Sequence, residues 1–176
     1  MAVENIQVEV SQVSTFAVCC TSNLTLEDVN NFLAQVWREE ERTATEFTPP
    51  THVLTVVHDL KTFFWGATEK LKGEDLETVR ELLVNMKEVT GSRLRKDWFL
   101  VLDDRSVETN SAVMVNVEPK VARYALRSGS VRSLRVGYAT SSRDLAAASI
   151  AHPSIDELRE IVDSNPDKFE GILRDD

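Results

Sequence analysis

The stretch from Asp97 to Asp104, Asp-Trp-Phe-Leu-Val-Leu-Asp-Asp, limits most sharply what this chain can fold into. Five apolar residues, Trp98 to Leu102, stand between charged ends with no polar residue among them. A half-exposed strand alternates apolar and polar residues, whereas a short unbroken apolar run suits a strand covered on both faces. A strand of that kind belongs inside a layered α/β architecture, with helices on each side of a sheet. The Asp pair then falls at the strand's carboxyl end, where open α/β sheets place ligands.

The flanking segments repeat this logic. Val13 to Cys20 reads as a first strand, and His52 to His58 as a second. Thr25 suits a helix N-cap, with Asp28 three residues on in a box-like arrangement. Leu26, Val29, Phe32, Leu33, Val36 and Trp37 then recur at helical spacing, predicting a helix to about Arg42. A second helix is expected from near Glu74, with Leu76, Val79, Leu82, Leu83 and Met86 as its apolar stripe and Gly91 as its stop.

Past the central run the rhythm changes. Asp103 to Asn110 reads as a polar loop and Ser111 to Val117 as a fourth strand. So short a link cannot hold a crossover helix, so this strand is expected antiparallel to the third. Val121 to Arg127 and Val131 to Val136 read as two more strands around Ser128-Gly129-Ser130. Asp144 to Ala151 is Ala-rich and fits either helix or loop, and Ser154 with Glu157 forms a capping box for a last helix. The expected fold is therefore α/β, with a mixed sheet. A parallel β-α-β-α-β first half is followed by antiparallel strands and a C-terminal helix. Residues 1–12 are expected to be a flexible lead and 13–174 a single domain, which suits 176 residues.

The carboxyl half carries a resemblance. Trp98-Phe99-Leu100-Val101-Leu102-Asp103, Val113-Met114-Val115-Asn116-Val117, Ser149-Ile150-Ala151-His152 and the closing Gly171-Ile172-Leu173-Arg174 together resemble a domain of unknown function, family number 6924. Asn usually stands in that family where His152 stands here, and Pro153 is a further departure. The resemblance implies the same α/β fold and carries over no activity and no site residue.

Catalytic motifs are sparse. A haloacid-dehalogenase pattern needs a second Asp two residues after the first, where Arg105 stands. A Walker B carboxylate needs a phosphate loop, and no Gly-Lys-Ser/Thr occurs. A response-regulator pocket needs an acidic pair after the first strand, where Thr21-Ser22 stand. The plain reading of Asp103-Asp104 is a solvated strand end. The enzymatic alternative is a metal-dependent hydrolase in which His58 and Asp59 meet Asp103 and Asp104 at one end of the sheet. His52 and His58 are about 20 Å apart along one strand and cannot share a metal. Cys19 and Cys20 are neighbours on a strand and point to opposite faces, which reads as two buried thiols in a reducing compartment. No cofactor motif is present, so none is expected, and no bound metal is expected in the main reading.

Charge adds one distinctive feature. The chain is net -9, yet residues 120–143 hold six cations and no acid: Lys120, Arg123, Arg127, Arg132, Arg135 and Arg143. The overall charge repels nucleic acid and anionic membranes. On paired strands Arg123, Arg127 and at most one of Arg132 and Arg135 make a patch of about three or four cations, with Lys120 or Arg143 at its edge. That is small for nucleic acid and suits one small anionic ligand, or an acidic patch on a partner protein or on a second copy of this chain. The competing reading pairs these arginines with the chain's own carboxylates. The Phe63-Phe64-Trp65 cluster reads first as a group that folds back to seal the core, and otherwise as a second contact candidate, through Trp65. No apolar run reaches the ~20 residues that span a bilayer. Met1-Ala2-Val3-Glu4 has no signal-peptide pattern, so a cytoplasmic site is expected. The function expected on these grounds is a non-catalytic protein-interaction or regulatory module. Arg123→Glu with Arg127→Glu should abolish binding of an acidic partner in a pull-down while leaving the melting curve unchanged; undiminished binding would remove the patch.

Overall fold

The computed structural model describes residues 14–43, 52–57, 76–117, 131–151, 154–164 and 172–173. In chain order these form β1 (Ser14–Cys20), α1 (Leu26–Thr43), β2 (His52–Val57), α2 (Leu76–Thr90), β3 (Trp98–Leu102), α3 (Asp104–Thr109), β4 (Ser111–Val117), β5 (Val131–Gly137), α4 (Tyr138–Ala151), α5 (Ile155–Ser164) and β6 (Ile172–Leu173). The strands make one mixed sheet in the order β2-β1-β3-β4-β5-β6. β1 is parallel to both β2 and β3, with Phe16 opposite Leu54 and Val18 opposite Leu100. β3 to β6 pair antiparallel, with Leu100 opposite Met114 and Val113 opposite Arg135.

The expected α/β class, the parallel first half and the antiparallel β4 are all present. The unbroken apolar run does what its composition demands. All five residues of β3 are buried, and alternate ones enter different cores. Trp98, Leu100 and Leu102 join Phe16, Val18, Phe32, Val36, Met114, Leu134, Leu145 and Ile155 on one face. Phe99 and Val101 join Ala17, Cys19, Val79, Leu83, Met86 and Val115 on the other. The first core is roofed by α1, α4 and α5, the second by α2. This division follows from topology. The β1-α1-β2 crossover runs outward to the edge and the β2-α2-β3 crossover runs back past β1, so right-handed connections put their helices on opposite faces.

Local signals set the helix ends. Thr25 Oγ1 accepts from the Asp28 N–H at 3.1 Å while the Thr25 N–H donates to Asp28 Oδ2 at 2.8 Å, a reciprocal cap. Ser154 and Glu157 repeat it at α5, at 3.1 and 2.8 Å. Gly91 ends α2 at φ 62, where its N–H donates to Lys87 O at 2.9 Å.

Several expectations need correction. Asp103 to Asn110 is not simply a polar loop. It contains α3, closed by Asn110 in the left-handed conformation at φ 49. Of the two readings open for Asp144 to Ala151, the helix is the one present, and it begins earlier, at Tyr138 directly after β5. Its small residues let α4 lie close on α1, where Phe32 and Tyr138 meet edge to face at 5.0 Å. The two-residue β6 was unforeseen. Leu26 and Trp37, counted in the apolar stripe of α1, are 69% and 63% exposed. The strand expected at Val121 to Arg127 lies outside the described residues. The two cysteines do face opposite ways: Cys19 is in the α2-side core and Cys20 packs on the other.

Trp98 is buried between β1-side and β4-side neighbours. Trp98→Asp should lower unfolding free energy by about 4 kcal/mol or more, because it puts an unpaired charge in the core. A denaturant melt displaced by less than about 1 kcal/mol would show that β3 is not the central strand.

Candidate functional site

The chain leaves β1 towards the β2 edge, and β3 lies on the other side of β1. The carboxyl ends of β1 and β3 therefore flank a topological switch point, the usual ligand position in an open α/β sheet. Thr21-Ser22 follow β1 there, and Asp103-Asp104 follow β3. The amino ends of α1, α3 and α4 arrive at the same end, because each follows a strand running towards it.

In this structure that end is closed by the protein's own bonds. The Thr21 N–H donates to Leu102 O at 2.9 Å, and its hydroxyl reaches the same oxygen at 3.4 Å. The Ser106 hydroxyl accepts from the Asp103 N–H at 2.9 Å and donates to Asp103 Oδ1 at 2.8 Å, fixing the first turn of α3. Arg135 completes the arrangement from β5. Its Nη1 donates to Asp103 Oδ1 at 3.2 Å and to Ser111 Oγ at 3.1 Å, and its Nη2 donates to Asp103 Oδ2. The fork engages both carboxylate oxygens, the strongest ion-pair geometry available to arginine. Arg135 is only 5% exposed and Asp103 31%. Ser111 also shares a hydrogen bond with Thr109 at 2.5 Å. Asn110 ties the turn to both helices, since its carbonyl accepts from the Tyr138 N–H at 2.8 Å and its Oδ1 from Gln35 at 3.1 Å.

Electrostatics follow from these contacts. Burial alone would raise the Asp103 carboxyl's pKa, but hydrogen bonds from Arg135 and Ser106 and the guanidinium charge outweigh it, and the net shift is downward. Tyr138 is pushed up to about 12, first by burial and then by the negative charges of Asp28 and Asp103, although Ser106 in hydrogen-bond reach opposes this. Burial raises the Cys20 thiol to about 11 and the Cys19 thiol further. An efficient general acid or base has a pKa near the working pH. Asp103, Tyr138 and Cys20 are all displaced away from neutrality, so at pH 7 they present an ion-paired carboxylate, a neutral phenol and a neutral thiol.

The sequence-based candidates distribute as follows. Asp103 is at the switch point but is bound to Arg135, so the solvated strand end is corrected to a capped, ion-paired one. Asp104 is exposed in the first turn of α3. His58, Asp59, Trp65, Arg123 and Arg127 lie outside the described residues, as do Lys120 and His152. Among the described residues no group of three or more His, Cys, Asp and Glu side chains is placed to hold a metal. The remaining cations of the basic segment are dispersed. Arg132 faces α5 and pairs with Asp156 at 3.6 Å. Arg135 lies on the opposite sheet face, and Arg143 on α4 pairs with Glu39 at 3.5 Å and Asp144 at 3.7 Å. These three do not form a patch, and each has a carboxylate of its own chain.

Sequence reasoning missed Arg135, Ser106, Ser111 and Tyr138 as members of this cluster. The available signal was Arg135 itself, an arginine between Leu134 and Val136 near the end of an apolar strand.

Asp103→Asn should cost about 3 kcal/mol, because it leaves a buried guanidinium without its counter-charge. Arg135→Met should cost less, since Asp103 is partly solvated and the apolar replacement fits a buried position. The depressed Asp103 pKa also fixes a pH dependence. Its contribution is complete above the ordinary carboxylate value of 3.8 and is lost as pH falls through the lower folded-state value. Acid melts of the wild type should show that loss, and Asp103→Asn should remove this part of it. Equal costs for the two variants would show that the pair does not seal this end.

No protein-family model, curated protein or solved structure matches the chain. The carboxyl end of the sheet is thus characterised by its own geometry: a switch point closed by a buried arginine fork.

Proposed function

We propose that this is a non-catalytic protein-interaction or regulatory domain working in the cytoplasm. The observation that carries this reading is the state of Asp103. In an α/β protein the first carboxylate after the central strand is the natural metal ligand or general base. Here both of its oxygens are engaged by Arg135, one is shared with Ser106, and its charge is neutralised in place. Binding a cation would require breaking a buried ion pair, which costs several kcal/mol. The resemblance to the uncharacterised domain family forms part of this proposal and adds no catalytic residue to it. Two free thiols with raised pKa accord with a reducing compartment. None of the helices among the described residues is long and apolar enough to cross a membrane.

The competing reading, a metal-dependent hydrolase built on Asp103, Asp104, His58 and Asp59, predicts stabilisation by its ion through mass action. The interaction reading predicts no change in melting temperature on adding Mg²⁺, Mn²⁺ or Zn²⁺. A rise that Asp104→Asn diminishes and Asp103→Asn with Asp104→Asn abolishes would overturn the interaction reading in favour of the hydrolase. Asp104 is exposed, so its single variant should keep the fold.

A further inference from the structure

Two features remain that the closed switch point does not explain. The first is the β2 edge. β2 pairs with β1 on one side and with no other described strand. Its sequence, His-Val-Leu-Thr-Val-Val, has high strand propensity and contains no Lys, Pro, Gly or acid. Natural edge strands are commonly shortened, charged or interrupted by Pro, because an open ladder recruits other strands. At the opposite end the last described strand has two residues, whereas β2 runs six residues with no charge or Pro in it.

The second feature is the outer flank of α1. Asp28, Phe32, Gln35 and Glu39 fall on one stripe, and the last three touch Tyr138, Asn110 and Arg143, so this flank faces α4 and the turn after α3. Val29 and Val36 are buried, and Glu40 continues their row to accept a hydrogen bond from Ser142 at 2.6 Å. Leu26, Asn30, Leu33 and Trp37 are offset from the α4-facing stripe by two residues, about 200° of rotation, and so lie on the opposite flank. α1 joins β1 to β2, so that flank looks out over the β2 edge. It exposes Leu26 and Trp37.

The geometry points to a second copy of this chain as the occupant of both surfaces. β2 would pair antiparallel with its own counterpart about a two-fold axis normal to the sheet, joining two sheets into one. With no charge on the strand, self-pairing places no like charges opposite each other. The same axis sets the two α1 helices antiparallel on one face. If each rides above the gap between β1 and β2, strand spacing puts their axes about 10 Å apart, close to ordinary helix-packing distance.

The α1 sequence is self-complementary under that operation. Leu26 and Trp37 are three turns apart on the outer flank, and so are Glu27 and Arg38 beside them. Antiparallel apposition brings Leu26 to Trp37 of the other copy and Glu27 to Arg38 of the other copy, while Asn30 and Ala34 occupy the crossing. Glu27 and Arg38 are exposed and make no ion pair among the described residues. Most other charges on this helix are already engaged: Asp28 in its cap, Glu39 with Arg42 and Arg143, and Glu40 with Ser142. This dimer deepens the interaction reading by naming its partner, and the two fail separately, because metal-induced stabilisation tests only the first and assembly mass only the second.

Light scattering after size exclusion, on the full chain, should give twice the 19.8 kDa chain mass at high concentration. Trp37→Glu should raise the dimer Kd by about tenfold or more. Its circular dichroism melt should show an intact fold. Glu27→Arg and Arg38→Glu should each weaken the dimer, and the two together should restore it by re-pairing opposite charges. A monomer at every concentration would overturn the proposal. So would a dimer indifferent to Trp37→Glu, or a charge-reversed double variant no stronger than either single one.

Discussion

A strand buried on both faces has no water at its ends unless the protein admits it, so its terminal polar groups must be satisfied by neighbouring residues. That requirement at β3 governs much of the rest of this molecule. At the amino end the Asp97 carbonyl accepts from the Val117 N–H at 2.8 Å and from Asn116 Nδ2 at 3.2 Å. The Arg95 N–H donates to Thr15 O at 2.8 Å, and its guanidinium pairs with Asp97 at 2.6 Å. At the carboxyl end Thr21 takes Leu102 O, and Arg135 takes Asp103. Each end is thus closed by an Arg–Asp pair, but the two differ in weight. Arg95 and Asp97 are substantially solvated, where such pairs contribute about 0–1 kcal/mol. The Arg135 side chain is almost wholly buried, so its pairing decides whether that end is tolerable at all.

The buried fork contributes less to net stability than to register. Replacing a buried ion pair by well-packed apolar residues is often neutral or stabilising, while removing one partner is costly. The fork can therefore be understood as a constraint on how β5 adds to the sheet. Arg135 reaches Asp103 only when β5 pairs with β4 so that Arg135 stands opposite Val113. A slip of one residue would turn Arg135 to the α1 and α4 side of the sheet, away from Asp103, and would take Leu134 and Val136 out of the core they form there. Ser111, itself bonded to Thr109, accepts from the same Nη1 that donates to Asp103, so the α3 turn and β5 are fixed by one cluster. Asn110 then carries that position to α1 and α4 through Gln35 and Tyr138.

Much of the framework was legible in the sequence because it rests on local rules. β3 is marked by an unbroken apolar run, α1 and α5 by reciprocal caps at Thr25 and Ser154, and the end of α2 by Gly91. The antiparallel turn of β4 followed from the shortness of the link after Asp103. What was not legible depends on tertiary contact. Arg135 sits in a run of cations that looks from sequence like a surface patch; strand alternation separates it from Arg132, but only the pairing of β5 with β4 brings it to Asp103. α3 is six residues long, too short for a periodic signal, and is held by Ser106 and by a left-handed Asn110. Leu26 and Trp37 obey helical spacing as well as Phe32 does, but spacing alone cannot say how wide the covered face is. The core covers one side of α1, with Leu33 at its margin, and leaves Leu26 and Trp37 outside.

That uncovered stripe and the two unlike edges of the sheet have a common geometric origin. The sheet grows in both directions from β3, and the helices follow the chain rather than the sheet's outline. On the side of β4 and β5 the chain continues into α4 and α5, which roof the face, and into the two-residue β6, the last strand of the ladder among the described residues. On the side of β1 and β2, α1 is the only helix among the described residues on the same face. A single helix spanning two strands can pack one flank against α4 and its base on the sheet, and its second flank must then look outward. Polar residues alone on that flank would leave an ordinary surface helix above a capped edge. A leucine and a tryptophan there, above a six-residue strand without a charge, give the β2 side of the molecule the composition of an interior rather than of a boundary.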